Sequence, residues 1–174
     1  PKLRRARVRP GRDRLHGRVE MDETYPSLCS RTCLGGLEEG VRGRQTRRKT
    51  LVVVAAQEDG KGIGRIRMRR VSDASAASLH PFVLESVESG SVVHTDGWDG
   101  YVGLEAQGYR HDVTVPSRLR ARLRGRKESA SAGAPGLPRV HRVISLLKRW
   151  LMGTHQGAVS HEHLDDYLDE FTFR

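Results

Sequence analysis

Residues 91–101 read SVVHTDGWDGY. Val92, Val93 and His94 form a short apolar run, the pattern of a strand set inside a sheet. Asp96 stands at its carboxyl end, and Gly97 and Gly100 then break the strand. A carboxylate at a strand end, beside glycines that let a ligand or a backbone come close, is a common way to present a metal ligand. Asp before Gly also opens ordinary turns. Two other segments bear on that choice: the first strand and the helix after Pro138.

Toward the N-terminus, residues 72–87 predict a helix. Ser72 or Asp73 can cap it, and Leu79, Phe82, Val83 and Val87 recur at helical spacing before Glu88, Ser89 and Gly90 end it. Before it, residues 63–71 (IGRIRMRRV) alternate Ile66 and Met68 with Arg65, Arg67 and Arg69, predicting a strand with one wet, basic face. Residues 58–62 (EDGKG) predict a hairpin turn. Residues 50–57 (TLVVVAAQ) are an unbroken apolar run, as expected mid-sheet with both faces covered. Residues 26–46, with Gly35, Gly36, Gly40 and Gly43, predict a long loop. Residues 18–25 (RVEMDETY) predict the first strand, where Val19 and Met21 alternate with Glu20 and Asp22. Residues 1–17 are a basic lead-in, flexible or helical, without apolar periodicity.

Toward the C-terminus, a short helix through Leu104 and a strand at 109–115 are expected. Residues 116–137 interrupt the pattern with an Arg-rich run and then SASAGAPG, the composition of a mobile basic loop or of a solvated insert without a role. Pro138 suits the first turn of a helix. Val140, Ile144, Leu147 and Leu151 make its apolar stripe, and Gly153 stops it. A last helix, 160–171, opens with Ser160 as cap and turns Leu164, Tyr167, Leu168 and Phe171 to the core. Three strands, a helix, a strand, a short helix, a strand and two helices describe an α/β domain, a mixed sheet with helices packed on it.

The chain has 174 residues, enough for one domain with a full core. Its 31 Lys and Arg against 21 Asp and Glu leave a net charge of +10, which points to a polyanionic partner, nucleic acid first. Only 5% of residues are aromatic, so phosphate contact is expected rather than base stacking. The longest apolar run, 51–56, is far too short for a membrane span, and the basic start has no secretory h-region. That start lacks Met, as in a fragment of a longer chain. Cys29 and Cys33 offer half a zinc site without a second pair; free thiols are the simpler expectation.

Asp22 and Asp96 can meet at one sheet edge if their strands are neighbours. Two close carboxylates repel unless a cation lies between them. A divalent metal in a basic protein then suggests metal-assisted phosphoryl transfer on nucleic acid. His141, Ser145, Lys148 and Met152 share one face of the Pro138 helix at the rim of its apolar stripe. His141 can ligate a metal or hold a reacting group, and Lys148 can contact a phosphate. Both are also ordinary rim residues, with Lys148 snorkelling.

RVEMDETY, TDGWDGY, PRVHRVISLLKRWLMGTHQGAVSHEHL and YLDEFTFR, with DASAASLHPFV and GYRHDV, together resemble the catalytic domain of bacterial insertion-sequence transposases of the DDE type. The branch is the one whose full-length members carry an N-terminal zinc ribbon, which is not seen here. The resemblance runs from Arg18 to Arg174 and implies a ribonuclease-H-like fold acting on DNA. It implies that Asp22, Asp96 and His141 hold two Mg²⁺ or Mn²⁺ ions, with Lys148 completing the set. His141 falls where Glu or Asn is usual; imidazole suits Mn²⁺ better than Mg²⁺. Glu170 and Arg174 match a Glu-x3-Arg signature and also form an i, i+4 pair. Arg42, Arg44, Arg47, Arg48, Lys49, Arg118, Arg120, Arg122, Arg124, Arg126, Lys127 and Arg149 are expected to track phosphates. The resemblance also implies a homo-dimer or larger assembly on DNA in the bacterial cytoplasm, at the nucleoid. The segment 26–34 (PSLCSRTCL), the insert, and the stop at Arg174 depart from the pattern, as in a truncated or decayed copy; a nuclease and an inactive DNA-binding remnant are the rival readings.

Overall fold

The computed structural model describes residues 12–26, 50–114, 136–155, 159 and 163–173. Five strands, β1 (Arg18–Thr24), β2 (Leu51–Asp59), β3 (Gly62–Val71), β4 (Val92–Thr95) and β5 (Arg110–Val113), form one sheet in the order β3-β2-β1-β4-β5. β1 pairs antiparallel with β2, and β2 with β3; β1 pairs parallel with β4, and β4 with β5. Helix α1 (Ala76–Ser86) covers one face, and α2 (Pro138–Gly153) and α3 (Leu164–Phe173) cover the other.

The unbroken apolar run of β2 follows from this layering. Val53 and Ala55 join Val19, Met21, Leu79, Phe82, Val83 and Val93 in the core under α1. Val52, Val54 and Ala56 pack under Val140, Val143, Leu147 and Leu151 of α2 and Leu164 and Leu168 of α3. On β1, Val19 and Met21 face α1, which turns Glu20 and Asp22 toward α2. Leu15, in the basic lead-in, is fully buried and bridges to Val87.

Several elements are shaped differently from the sequence expectation. Helix α1 starts at Ala76, not behind Ser72 or Asp73; Asp73 Oδ1 instead accepts from the Ser75 amide and from the hydroxyls of Ser75 and Ser78, holding the turn before the helix. Val87 lies just past its end and forms an isolated parallel bridge with Leu15. The short helix through Leu104 is two separate 3₁₀ turns, Asp99–Tyr101 and Glu105–Gln107, because Gly103, at a φ of +95°, interrupts it. α3 runs to Phe173; Ser160 lies outside the described residues. The basic face of β3 is only half-exposed, since Arg65 meets Asp13 at 3.3 Å and Arg69 meets Glu85 at 2.5 Å while lying over the Phe82 ring. No helix among the described residues is long and apolar enough to cross a membrane.

Candidate active site

Asp22 sits near the carboxyl end of β1, and Asp96 lies one residue past β4. The parallel ladder between these neighbouring strands pairs Glu20 with His94. That pairing stops two residues short of both aspartates, and across the adjoining strand ends the Asp96 charge acts on the Asp22 carboxyl. Helix α2 crosses the face to which Asp22 turns, and His141 Nε2 lies 3.1 Å from Asp22 Oδ2. The structure therefore brings together Asp22, Asp96 and His141, which are 119 residues apart at the extremes.

Each side chain is held by identifiable partners. The Glu23 amide donates to Asp22 Oδ1 at 2.8 Å. Burial pushes the Asp22 carboxyl above its usual range and the Asp96 charge adds to this, while the Glu23 amide and His141 pull it down. At Asp96, Oδ1 accepts from the Trp98 amide at 3.1 Å, so the residue both opens a turn and faces the site. Trp98 Nε1 then donates to the Ala74 carbonyl at 2.7 Å. Gly100 is required here: a Cβ would stand 2.3 Å from the Ala74 oxygen.

Lys148 is exposed on α2, two turns beyond His141 and, at about 1.5 Å rise per residue, some ~10 Å along the axis. Arg149 points elsewhere, to a cavity between β3, α2 and α3 that Ile66, Trp150 and Phe171 also line. A separate cleft of about 430 Å³ borders His141 and is lined by Lys61, Ile63, Pro138, Arg139, Arg142 and Ser145. Arg42, Arg44, Arg47, Arg48, Lys49, Arg118, Arg120, Arg122, Arg124, Arg126, Lys127 and Arg174 lie outside the described residues, as do Cys29 and Cys33.

Two acidic residues of β1 carry roles that the sequence reading missed. Glu20 is 2% exposed, and its Oε2 accepts from the backbone amides of Arg139 at 2.7 Å and Val140 at 2.9 Å. Leu137, at the cap position of α2, has no side chain able to do this, so a strand carboxylate caps the helix. The Arg139 guanidinium returns to Glu20 Oε1 at 3.2 Å and to Glu58 at 2.5 Å. Glu23 turns to the α1 face, where the buried Tyr101 hydroxyl donates to its Oε1. Burial raises Glu23 to about 7, the Tyr101 bond opposing and the charges of Asp22 and Asp96 adding. The one available signal was the acidic run itself, three carboxylates within four residues of a strand.

The donor chemistry of the Asp22–Asp96 pair fits a hard, oxygen-preferring divalent cation, which would offset the burial, and the smaller repulsion from Asp96, that raise Asp22. Among the described residues no three His, Cys, Asp or Glu side chains are grouped to enclose a metal ion, and His141 stands as the partner of Asp22.

A five-stranded sheet ordered 3-2-1-4-5, with only its first three strands antiparallel and carboxylates at the ends of the central parallel pair, defines a ribonuclease-H-like domain. Residues 14–174 match the family described as ISXO2-like transposase domain, and the chain belongs to that family of insertion-sequence DDE transposases. No curated protein matches the chain. Among solved structures, a chain of the simian T-cell lymphotropic virus intasome in complex with PP2A regulatory subunit B56 gamma is similar at 14% identity, with a TM-score of 0.47, over 95% of this chain and 50% of that one. The Mos1 strand transfer complex is similar at 14% identity and a TM-score of 0.32, over 91% and 54%. The Mos1 transposase paired-end complex with left transposon end is similar at 15% identity and a TM-score of 0.33, over 99% and 54%. The chain thus spans about half the length of these solved chains.

Proposed function

We propose that the chain is the catalytic domain of a DNA transposase that cleaves transposon ends and joins the freed 3′-hydroxyl to target DNA. The observation that carries this reading is that Asp22 and Asp96 lie at the ends of neighbouring parallel strands within reach of each other's charge, with His141 of α2 against Asp22. Residues 18–174 form the catalytic domain in this reading, with residues 1–17 and 116–137 as basic attachments. Asp22 and Asp96 are the residues that would hold Mg²⁺ or Mn²⁺, with His141 beside them. Such ions, when bound, acidify an attacking water or hydroxyl and offset charge on the leaving oxygen.

The protein's own groups do the rest. The Glu23 amide and the Trp98 amide fix one oxygen of each aspartate, leaving the carboxylates pre-oriented. His141 donates toward Asp22 Oδ2 and keeps that carboxylate turned to the site. The basic cleft beside His141, with Lys61 and Arg142, supports passage of a phosphate backbone. Lys148 contacts a phosphate two turns along α2. The +10 net charge supports DNA as partner, and in this reading the chain acts on DNA as a homo-dimer or larger assembly.

One observation favours a second reading, a DNA-binding remnant without chemistry: the third position of the site holds an imidazole paired to Asp22 rather than a carboxylate. A strand-transfer assay with pre-cut transposon ends and Mn²⁺ separates the readings. Joined product from the wild type, lost in Asp96→Asn, supports the transposase; hydrolysis without joining means a nuclease. DNA binding with neither product, unchanged in Asp96→Asn, means the remnant.

A further inference from the structure

The backbone ladder between β1 and β4 ends at Glu20–His94, two residues short of both aspartates. Past that point β1 is held by β2 as far as Thr24 and β4 by β5 as far as Thr95, but no backbone pair joins β1 directly to β4 beside Asp22 and Asp96. Among the described residues, one side-chain bond spans the gap. The Tyr101 hydroxyl, five residues past Asp96, donates to Oε1 of Glu23, the residue next to Asp22. Tyr101 is fully buried under α1, so its ring cannot follow a displaced Glu23. The turn that carries it is fastened as well: Asp96 Oδ1 takes the Trp98 amide, Trp98 Nε1 reaches the Ala74 carbonyl, and Gly100 sits against that same carbonyl. The chain from Asp96 to Tyr101 is thus fastened to the segment before α1, and among the described residues its side-chain tie to β1 is Glu23.

We infer that Glu23 and Tyr101 are positioning residues that set the spacing of Asp22 and Asp96, and so the size of cation the pair accepts. The inference rests on the reading that these two aspartates hold the metal. Neither Glu23 nor Tyr101 needs to touch the ion; they act through the two segments they join, in the manner of the partners that orient metal ligands elsewhere.

The test is calorimetric titration of the full chain with Mn²⁺ and, separately, Ca²⁺, for wild type, Asp96→Asn, Tyr101→Phe and Glu23→Gln. Tyr101→Phe keeps the ring in the core and removes the hydroxyl; Glu23→Gln keeps an accepting oxygen. The expected result is Mn²⁺ binding by the wild type, loss in Asp96→Asn, and about tenfold weaker binding in Tyr101→Phe, at the low end for such supporting partners. Glu23→Gln should stay within about threefold of wild type, since its amide oxygen still accepts. A loosened pair also loses discrimination, so Tyr101→Phe should weaken Mn²⁺ more than the larger Ca²⁺; a purely structural loss weakens both alike and overturns the inference. Equal Mn²⁺ affinity in Tyr101→Phe and wild type, with Asp96→Asn still defective, overturns the clamp and leaves the site reading standing. No Mn²⁺ binding by the wild type removes the site reading and the clamp with it. If Tyr101→Phe does not fold, Glu23→Ala breaks the same bond from the other side and carries the same expectations.

Discussion

Replacing Glu20 by Gln tests how the third element of the site is held. Glu20 is buried on β1 and caps α2 two residues before His141. Gln is close in size, but its amide offers one accepting oxygen where the carboxylate offers two. One of the two amide bonds, at 2.7 Å and 2.9 Å, is lost or weakened, and the new NH₂ faces the Arg139 guanidinium, donor against donor. A hydrogen bond to a charged group is worth about 1.5–3 kcal/mol. Losing negative charge at a helix N-terminus costs up to ~2 kcal/mol more where the site is partly buried. Arg139 keeps Glu58 at 2.5 Å, so no uncompensated cation remains and the larger penalty for a broken buried pair does not apply in full. The expected destabilisation is about 3 kcal/mol, or roughly 6–12 °C in Tm for a domain of this size. Urea and thermal unfolding measure it, and hydrogen exchange at Arg139 and Val140 shows whether the helix start has frayed. A loss below about 1 kcal/mol, with both amides as protected as in wild type, would refute the capping role, because a single charge-assisted bond already exceeds that.

Three further outcomes are expected. Gly100→Ala puts a Cβ 2.3 Å from the Ala74 oxygen and 2.8 Å from Leu79 Cδ1, so it should destabilise by about 1–3 kcal/mol, read by urea unfolding; an unchanged midpoint means the turn does not pack this tightly. Without metal, stability should fall as pH rises from 4.5 to about 7: folded Glu23 keeps a proton there that the unfolded chain has lost, so its contribution is present below 4.5 and gone above about 7. The full shift corresponds to roughly 3 kcal/mol at most, and Glu23→Gln should flatten that slope in unfolding curves taken across the window. Lys148→Ala should weaken DNA binding about equally for all sequences and lower the slope of log K against log salt by about 1; a sequence-selective loss would mean a base contact instead.

Much of the domain was legible without tertiary information because its signals are local. The unbroken run at 50–57 announced a strand covered on both faces, and the stripe of Val140, Ile144, Leu147 and Leu151 between Pro138 and Gly153 announced α2 with its observed ends. Asp22, Asp96 and His141 were named from strand ends, a helix rim and a family resemblance. Periodicity, turn residues and helix stops act within a few residues, so a sequence determines them by itself. What only the tertiary structure decided are the contacts between distant segments. The parallel pairing of β1 with β4 brings the strand ends that carry the two aspartates together. The capping of α2 by Glu20 spans 120 residues, and the Tyr101–Glu23 bond spans 78. A glutamate in a strand has the same local signature whether it faces water, caps a helix or takes a buried hydroxyl. Its role comes from whichever backbone or side-chain donors the packed layers leave in need of an acceptor, and those donors do not exist as a group until the sheet and α2 have come together.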